Sequence, residues 1–155
     1  MARSLYGTQF RSQGEIAVEG LSHITFVVSD LERMTKFLTY IFDAKEVYSS
    51  GDKTFSIAPE KFFLINTVWI AIMEGDALPD KTYNHVAFKI RAEDFDKYVT
   101  RVRSLGVEMR ESRSRVEGEG SSLYFYDYDN HLFELHTGTL AQRLARYLQQ
   151  PQSRK

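Results

Sequence analysis

The sequence predicts an α+β fold built from two tandem βαβββ modules. Three observations carry this. Each half of the chain reads as strand, helix, then about three short strands. The opening strands repeat with His23 and His85 62 residues apart, and the closing strands, 68–75 and 131–138, repeat 63 apart. Both closing strands stop at a glycine, Gly75 and Gly138. Self-similarity at a fixed spacing marks two copies of one supersecondary unit. The matched strand order, helix length and terminal glycine distinguish it from a chance likeness of two strand–helix pieces.

Residues 1–17 show neither a two-residue nor a 3.6-residue apolar period, and they read as a flexible N-terminal extension. A single domain is expected over 18–150, with repeats at about 18–76 and 82–138 followed by a C-terminal helix. The first repeat opens with Gly20-Leu21-Ser22-His23-Ile24-Thr25-Phe26-Val27-Val28, a β-branched run suited to a strand. Ser29 or Asp30 then caps a helix with Leu31, Met34, Phe37, Leu38 and Ile41 at helical spacing. Short strands follow at 44–48, 54–57, 62–65 and 69–73. The second repeat opens with Tyr83-Asn84-His85-Val86-Ala87-Phe88-Lys89-Ile90. A helix over about 92–105 carries Phe95, Tyr98, Val99 and Val102 on one face, and Gly106 ends it. Strands at 107–110, 122–126 and 132–136 complete the repeat. An amphipathic helix over about 140–148 closes the domain.

Composition removes several function classes. The chain has 155 residues, with 20 Lys+Arg against 21 Asp+Glu and a formal net charge of −1. That balance lacks the electrostatic footprint of a nucleic-acid binder. No cysteine is present, which excludes disulfide scaffolds, thiolate metal sites and cysteine nucleophiles together. No apolar run reaches the ~20 residues of a membrane helix, and residues 1–17 lack the apolar middle of a secretory signal. A cytoplasmic protein is expected, with no membrane partner.

Side chains alternate across a strand, and this assembles a constellation. His23 and Thr25 share one face of the first strand. His85 and Ala87 occupy the same places in the second copy. Glu134 and His136 share a face of the last strand, and the repeat sets Glu134 opposite Ala71. Two imidazoles and one carboxylate form a facial metal site with open coordination positions. Nitrogen and oxygen donors without thiolate suit Mn²⁺, Fe²⁺, Ni²⁺ or Zn²⁺. A lone strand histidine is ordinarily just hydrogen-bonded; two at equivalent repeat positions with a carboxylate at the third argue for a ligand set. His136 competes with Glu134 as a ligand from the same face. His131 reads as a turn residue.

These features resemble the vicinal oxygen chelate superfamily, whose paired βαβββ units form a metal cup. Within it the sequence resembles the fosfomycin-resistance proteins. The segments that carry this likeness include 20–26, 83–88, Val116-Glu117-Gly118-Glu119-Gly120, Tyr124-Phe125-Tyr126-Asp127 and 133–140. The stretch 54–64, with Glu60, is similar to the water-using FosX branch. The resemblance implies Mn²⁺ held by His23, His85 and Glu134, with Glu60 as the general base that activates water against the epoxide of fosfomycin to give a vicinal diol. It implies that Ser122, Tyr124 and Arg143 hold the phosphonate and that Thr25 and Trp69 line the pocket, with Arg115 behind Arg143 as a candidate cation. It also implies a homodimer in which His23 comes from one subunit and His85 and Glu134 from the other. Read from the residues alone, Glu60 is an exposed turn acid after Pro59, and only the resemblance makes it a base; Arg143 also reads as a solvated helix residue, Trp69 as ordinary packing and Thr25 as a strand former. The family carries arginine where this chain has Ser121, so weaker anion binding is expected. Three alternatives stand beside hydrolysis: thiol addition to the same epoxide, non-catalytic drug binding, and a lyase or dioxygenase activity on the same fold.

Overall fold

Hydrophobic alternation in the strands and a 3.6-residue stripe in the helices give two four-stranded sheets with one core between them. The computed structural model describes residues 18–53, 55–110 and 120–149. The extension at 1–17, Arg115 and the 116–119 part of the glycine-rich motif lie outside the described residues. The order is β1 (His23–Val28), α1 (Leu31–Phe42), β2 (Lys45–Ser49), β3 (Glu60–Ile65), β4 (Val68–Glu74), β5 (His85–Lys89), a 3-10 turn (Ala92–Asp94) running into α2 (Phe95–Ser104), β6 (Met109–Arg110), β7 (Ser122–Tyr126), β8 (Leu132–His136) and α3 (Leu140–Gln149). The sheets have the same strand order, β1-β4-β3-β2 and β5-β8-β7-β6. In each, the opening strand runs parallel to the closing one and the remaining pairs are antiparallel. The two halves therefore share one topology.

Helix α1 begins where Asp30 accepts a hydrogen bond from the Arg33 N–H at 2.9 Å. It ends where Asp43 turns left-handed at φ 52° and returns its N–H to the Leu38 carbonyl. Its buried face, Met34, Phe37, Leu38, Ile41 and Phe42, follows the i, i+3, i+4, i+7 pattern. Phe37 packs 5.9 Å from Phe125 and 5.3 Å from Phe133, and Phe42 packs 5.0 Å from Phe88, between ring centroids. Phe26 of β1 lies 5.0 Å from Phe133 of β8. Aromatic side chains from both repeats thus fill a single core.

Polar contacts pin the repeats together at the β7–β8 turn. The buried Asp129 carboxylate accepts from the Ser29 N–H at 3.0 Å and from the Ser29 hydroxyl at 2.5 Å. The turn also accepts the Leu78 N–H on the Asp129 carbonyl, and the Asn130 amide donates to the Leu78 carbonyl at 2.6 Å. Lys61, buried between sheet and helix, donates to Glu32 of α1 at 2.6 Å and to Glu46 of β2 at 3.4 Å.

Two expectations need correction. Residues 55–57 of the stretch expected as a strand at 54–57 are bends, and Thr54 lies outside the described residues. Phe55 and Ile57 are 86% and 91% exposed, so strand-forming side chains here have no sheet to cover them. The second helix opens with a 3-10 turn, and only Val102 of α2 is fully buried. Among the described residues, no helix is long and apolar enough to cross a membrane.

Candidate metal centre

Strand register turns the alternation of side chains into rows. On sheet 2 one row runs Ala87–Glu134–Tyr124–Arg110, with His85–Leu132–Tyr126 on one side and Lys89–His136–Ser122 on the other. On sheet 1 the equivalent rows are Thr25–Ala71–Phe62–Tyr48, His23–Trp69–Leu64–Lys45 and Val27–Met73–Glu60. These faces lie opposite the ones that pack into the core. Glu134 and Ala71 are equivalent, as the repeat required. Glu60 and Ser122 are likewise equivalent.

His85 and Glu134 come together. His85 Nε2 lies 3.0 Å from Glu134 Oε2, and Nδ1 of the same ring is 2.7 Å from the Tyr83 carbonyl. A carbonyl only accepts, so Nδ1 carries a proton in this contact. Nε2 and the carboxylate oxygen face each other at 3.0 Å, a contact that a proton on Nε2 or a cation shared by both would satisfy. The Glu134 side chain is 5% exposed, and its Oε1 has no hydrogen-bond partner among the described residues. Burying a carboxylate with an orphaned oxygen is costly unless a cation completes it. The donor set therefore fits a hard or borderline divalent ion.

His23 stands apart, on the exposed face of β1. Its Nδ1 is 3.1 Å from the Ser22 hydroxyl, and its ring lies 4.3 Å from that of Trp69. Among the described residues no group of three or more His, Asp or Glu side chains could hold a metal within one chain.

The remaining expected residues fall as follows. Thr25 is exposed, one row from His23. The Trp69 indole Nε1 is buried without a hydrogen-bond partner among the described residues, and Phe62 meets its ring edge-on at 5.2 Å. Glu60 begins β3 half-buried, its N–H held by the Ser50 hydroxyl at 3.0 Å. Tyr124 receives the Tyr83 hydroxyl proton at 3.4 Å. Burial first, then Tyr83 and the charge on Glu134, hold the Tyr124 phenol well above its ordinary pKa, so it stays an O–H donor. Ser122 Oγ lies 2.8 Å from His136 Nδ1. Arg143 is exposed on α3, outside the sheet rows, with its N–H on the Thr139 carbonyl. Ser121 is held through its backbone by Thr137, at 2.7 Å to the hydroxyl. Next to it Gly120 (φ 81°) comes so near Gly138 that a Cβ would sit 2.5 Å from that residue's nitrogen.

His131 is a turn residue as read, its Nδ1 2.7 Å from the buried Asp127 carboxylate. A cavity of about 420 Å³ borders His85 but is lined by Phe26, Leu78, Thr82, Asn84 and His131 among others. It runs along the junction of the repeats, not over the Glu134 row.

Sequence reasoning missed Arg110 and Tyr83. Arg110 ends the Glu134 row, its guanidinium 5.0 Å from the Tyr83 ring centre and 3.4 Å from the Tyr126 hydroxyl. The strand expected at 107–110 is only Met109–Arg110, and its pairing partner, which places Arg110 in this row, is set by register. Tyr83 acts on His85 through a backbone carbonyl, which no side-chain pattern reveals.

Residues 20–135 match the family described as Glyoxalase/Bleomycin resistance protein/Dioxygenase superfamily. The fosfomycin resistance protein FosX of Listeria innocua is 63% identical over 130 residues, covering 84% of this chain and 98% of that protein. FosX of Mesorhizobium japonicum is 62% identical, over 83% of this chain and 93% of its own. The metallothiol transferase FosB of Shouchella clausii is 37% identical, over 84% and 88%. A crystal structure of a FosX variant from Listeria monocytogenes, complexed with Mn(II) and 1S,2S-dihydroxypropylphosphonic acid, superposes with a TM-score of 0.77 at 59% identity, covering 84% of this chain and 98% of that one. The chain belongs to the glyoxalase/bleomycin resistance/dioxygenase superfamily and, within it, to the FosX fosfomycin resistance proteins.

Proposed function

We propose that this chain is a Mn²⁺-dependent hydrolase that opens the epoxide of fosfomycin with water and so confers resistance to the antibiotic. FosX relatives carry the name fosfomycin resistance protein, and one was crystallised with Mn(II) and a dihydroxypropylphosphonic acid. That compound is the vicinal diol produced by adding water to an epoxypropylphosphonate. The observation that favours water over a thiol is Glu60, a carboxylate on the same sheet face as His23 and Thr25.

His85 and Glu134, with His23 of the partner subunit, would hold the metal, which supplies Lewis acidity at the epoxide oxygen. Ser122 and Tyr124 donate hydroxyl hydrogens to the phosphonate, and Arg143 offers a guanidinium fork to the same oxygens. Thr25 and Trp69 bound the pocket on the sheet 1 side. Glu60 takes a proton from a water whose oxygen attacks a ring carbon. The carbon–oxygen bond breaks, and the ring oxygen takes a proton, so the sum is one water added. A positioned base of this kind contributes about 10²–10⁴-fold. The working unit is a homodimer in the cytoplasm, and the domain spans 18–150.

Phosphorus NMR of fosfomycin incubated with Mn²⁺-loaded protein, without any thiol, tests the reading. The diol resonance is expected. Unchanged drug overturns it, and an adduct formed only on adding a thiol replaces it with the transferase reading.

A further inference from the structure

Arg110 takes no step in the mechanism above, yet it holds the segment leading into His85 from two sides. On one side its guanidinium carbon lies 5.0 Å from the centre of the Tyr83 ring. On the other its Nη1 donates to the Tyr126 hydroxyl at 3.4 Å. Arginine has no acceptor, so the Tyr126 oxygen accepts there, and its own proton goes to the Thr82 carbonyl 3.2 Å away. Lys81 Nζ lies 5.2 Å from the Tyr126 ring centre, and the Thr82 hydroxyl accepts the Asn84 N–H at 3.2 Å. The chain is therefore held at both Thr82 and Tyr83 just before it enters β5.

That short segment serves the site twice. The Tyr83 carbonyl meets His85 Nδ1 at 2.7 Å, and the Tyr83 hydroxyl donates to Tyr124 at 3.4 Å. The rings of Tyr83, His85 and Tyr124 pack on one another, with centroids 5.0, 5.4 and 5.9 Å apart. Arg110 reaches this group from its place across from Tyr124 in the β6–β7 register. Tyr83 is 49% exposed, so neighbouring side chains cover only half of it. A guanidinium is attracted to the face of an aromatic ring and keeps its charge throughout the working pH range. We propose that Arg110 is a positioning residue: it clamps Tyr83, and through Tyr83 it fixes the His85 ring for the metal and the Tyr124 hydroxyl for the phosphonate. This rests on the roles given above to His85 and Tyr124.

A role through charge alone has the opposite sign. Arg110 stands two strands from Glu134, about 10 Å at the usual strand spacing. A cation at that range repels a divalent ion, so removing it would tighten Mn²⁺ binding. Loss of a clamp loosens it.

Arg110→Met removes the guanidinium and keeps an apolar stem. It is expected to weaken Mn²⁺ binding about 3- to 10-fold, between the worth of an exposed cation–π contact and that of an outer-shell partner of a ligand, as read by electron paramagnetic resonance titration without substrate. The KM for fosfomycin should rise by a similar factor. Arg110→Lys keeps a cation over the ring and should restore most of both. In a Tyr83→Leu background, which keeps the carbonyl and loses the ring, Arg110→Met should add little. The inference is overturned by unchanged or tighter Mn²⁺ binding in Arg110→Met, by Arg110→Lys behaving as Arg110→Met, or by additive effects with Tyr83→Leu. The titration involves no drug, so it judges the clamp even where wild-type protein leaves fosfomycin intact, an outcome that overturns the parent reading alone.

Discussion

The Nε2 atom of His85 faces Oε2 of Glu134 at 3.0 Å while the Tyr83 carbonyl holds the opposite ring nitrogen at 2.7 Å. The carbonyl orients the ring so that its other nitrogen meets a buried carboxylate. Glu134→Gln keeps the shape and removes the charge. It should weaken Mn²⁺ binding by more than the about 10–100-fold that outer-shell changes cost, as read by electron paramagnetic resonance titration. Unaltered affinity would place the metal elsewhere.

The distance of His23 from this pair within one chain makes a subunit-mixing experiment decisive. His23→Ala and Glu134→Ala homodimers should each be inactive. Dissociated and reassociated together, they form mixed dimers with one intact site, so about a quarter of wild-type activity should return for a two-fold dimer. No recovery contradicts a shared site.

Glu60→Gln should lower kcat by about 10²–10⁴-fold, the usual worth of a general base. Mn²⁺ affinity and the KM for fosfomycin should hold, because Glu60 lies a row away from Thr25 and contributes no ligand. A variant with near-normal kcat would return Glu60 to the status of a turn acid.

Asp129 joins the repeats through Ser29. Asp129→Ala removes the carboxylate that accepts both Ser29 donors; Ser29 is itself exposed, so the loss is that of the hydrogen bonds alone, about 0.5–1.5 kcal/mol each. Urea denaturation should show a lower midpoint with an unchanged slope. A larger loss of activity than of stability would indicate that the docking of the repeats also shapes the site.

Burial alone lowers the pKa of Lys61, but the hydrogen bond to Glu32 and the charge of Glu46 outweigh it, leaving the ammonium above its ordinary value. A raised folded pKa stabilises fully below the unfolded value of about 10.4 and fades as pH climbs through the folded one. The difference in urea midpoint between wild type and Lys61→Met should therefore stay flat between about pH 7 and pH 10, then shift in favour of the methionine variant. A difference that changes near neutrality would contradict the ion-paired assignment.

Much of the site was legible because alternation is a local rule. Which of His23, Thr25, Ser122, Tyr124, Glu134 and His136 share a face follows from counting by two, and α1 follows from its cap and apolar stripe. The stretch around Phe55 misled because strand propensity describes a side chain that fits a pleated surface, and here no neighbouring strand provides one. Arg110 was read on a strand at 107–110, but nothing in that stretch says which residues it stands beside; its place beside Tyr124 is a matter of register.

By itself the sequence determined the duplicated βαβββ unit, the face on which each donor stands and the donor chemistry, since these depend on spacing and residue type. The tertiary structure alone decided that β1 lies beside β4 and β5 beside β8, which aligns Glu134 with Ala87 and Tyr124. It also decided that both repeats surrender their apolar faces to one aromatic core. That shared core leaves the His23 face of one sheet and the Glu134 face of the other each on the side opposite the packing, because both sheets spend their apolar residues on the same aromatic cluster.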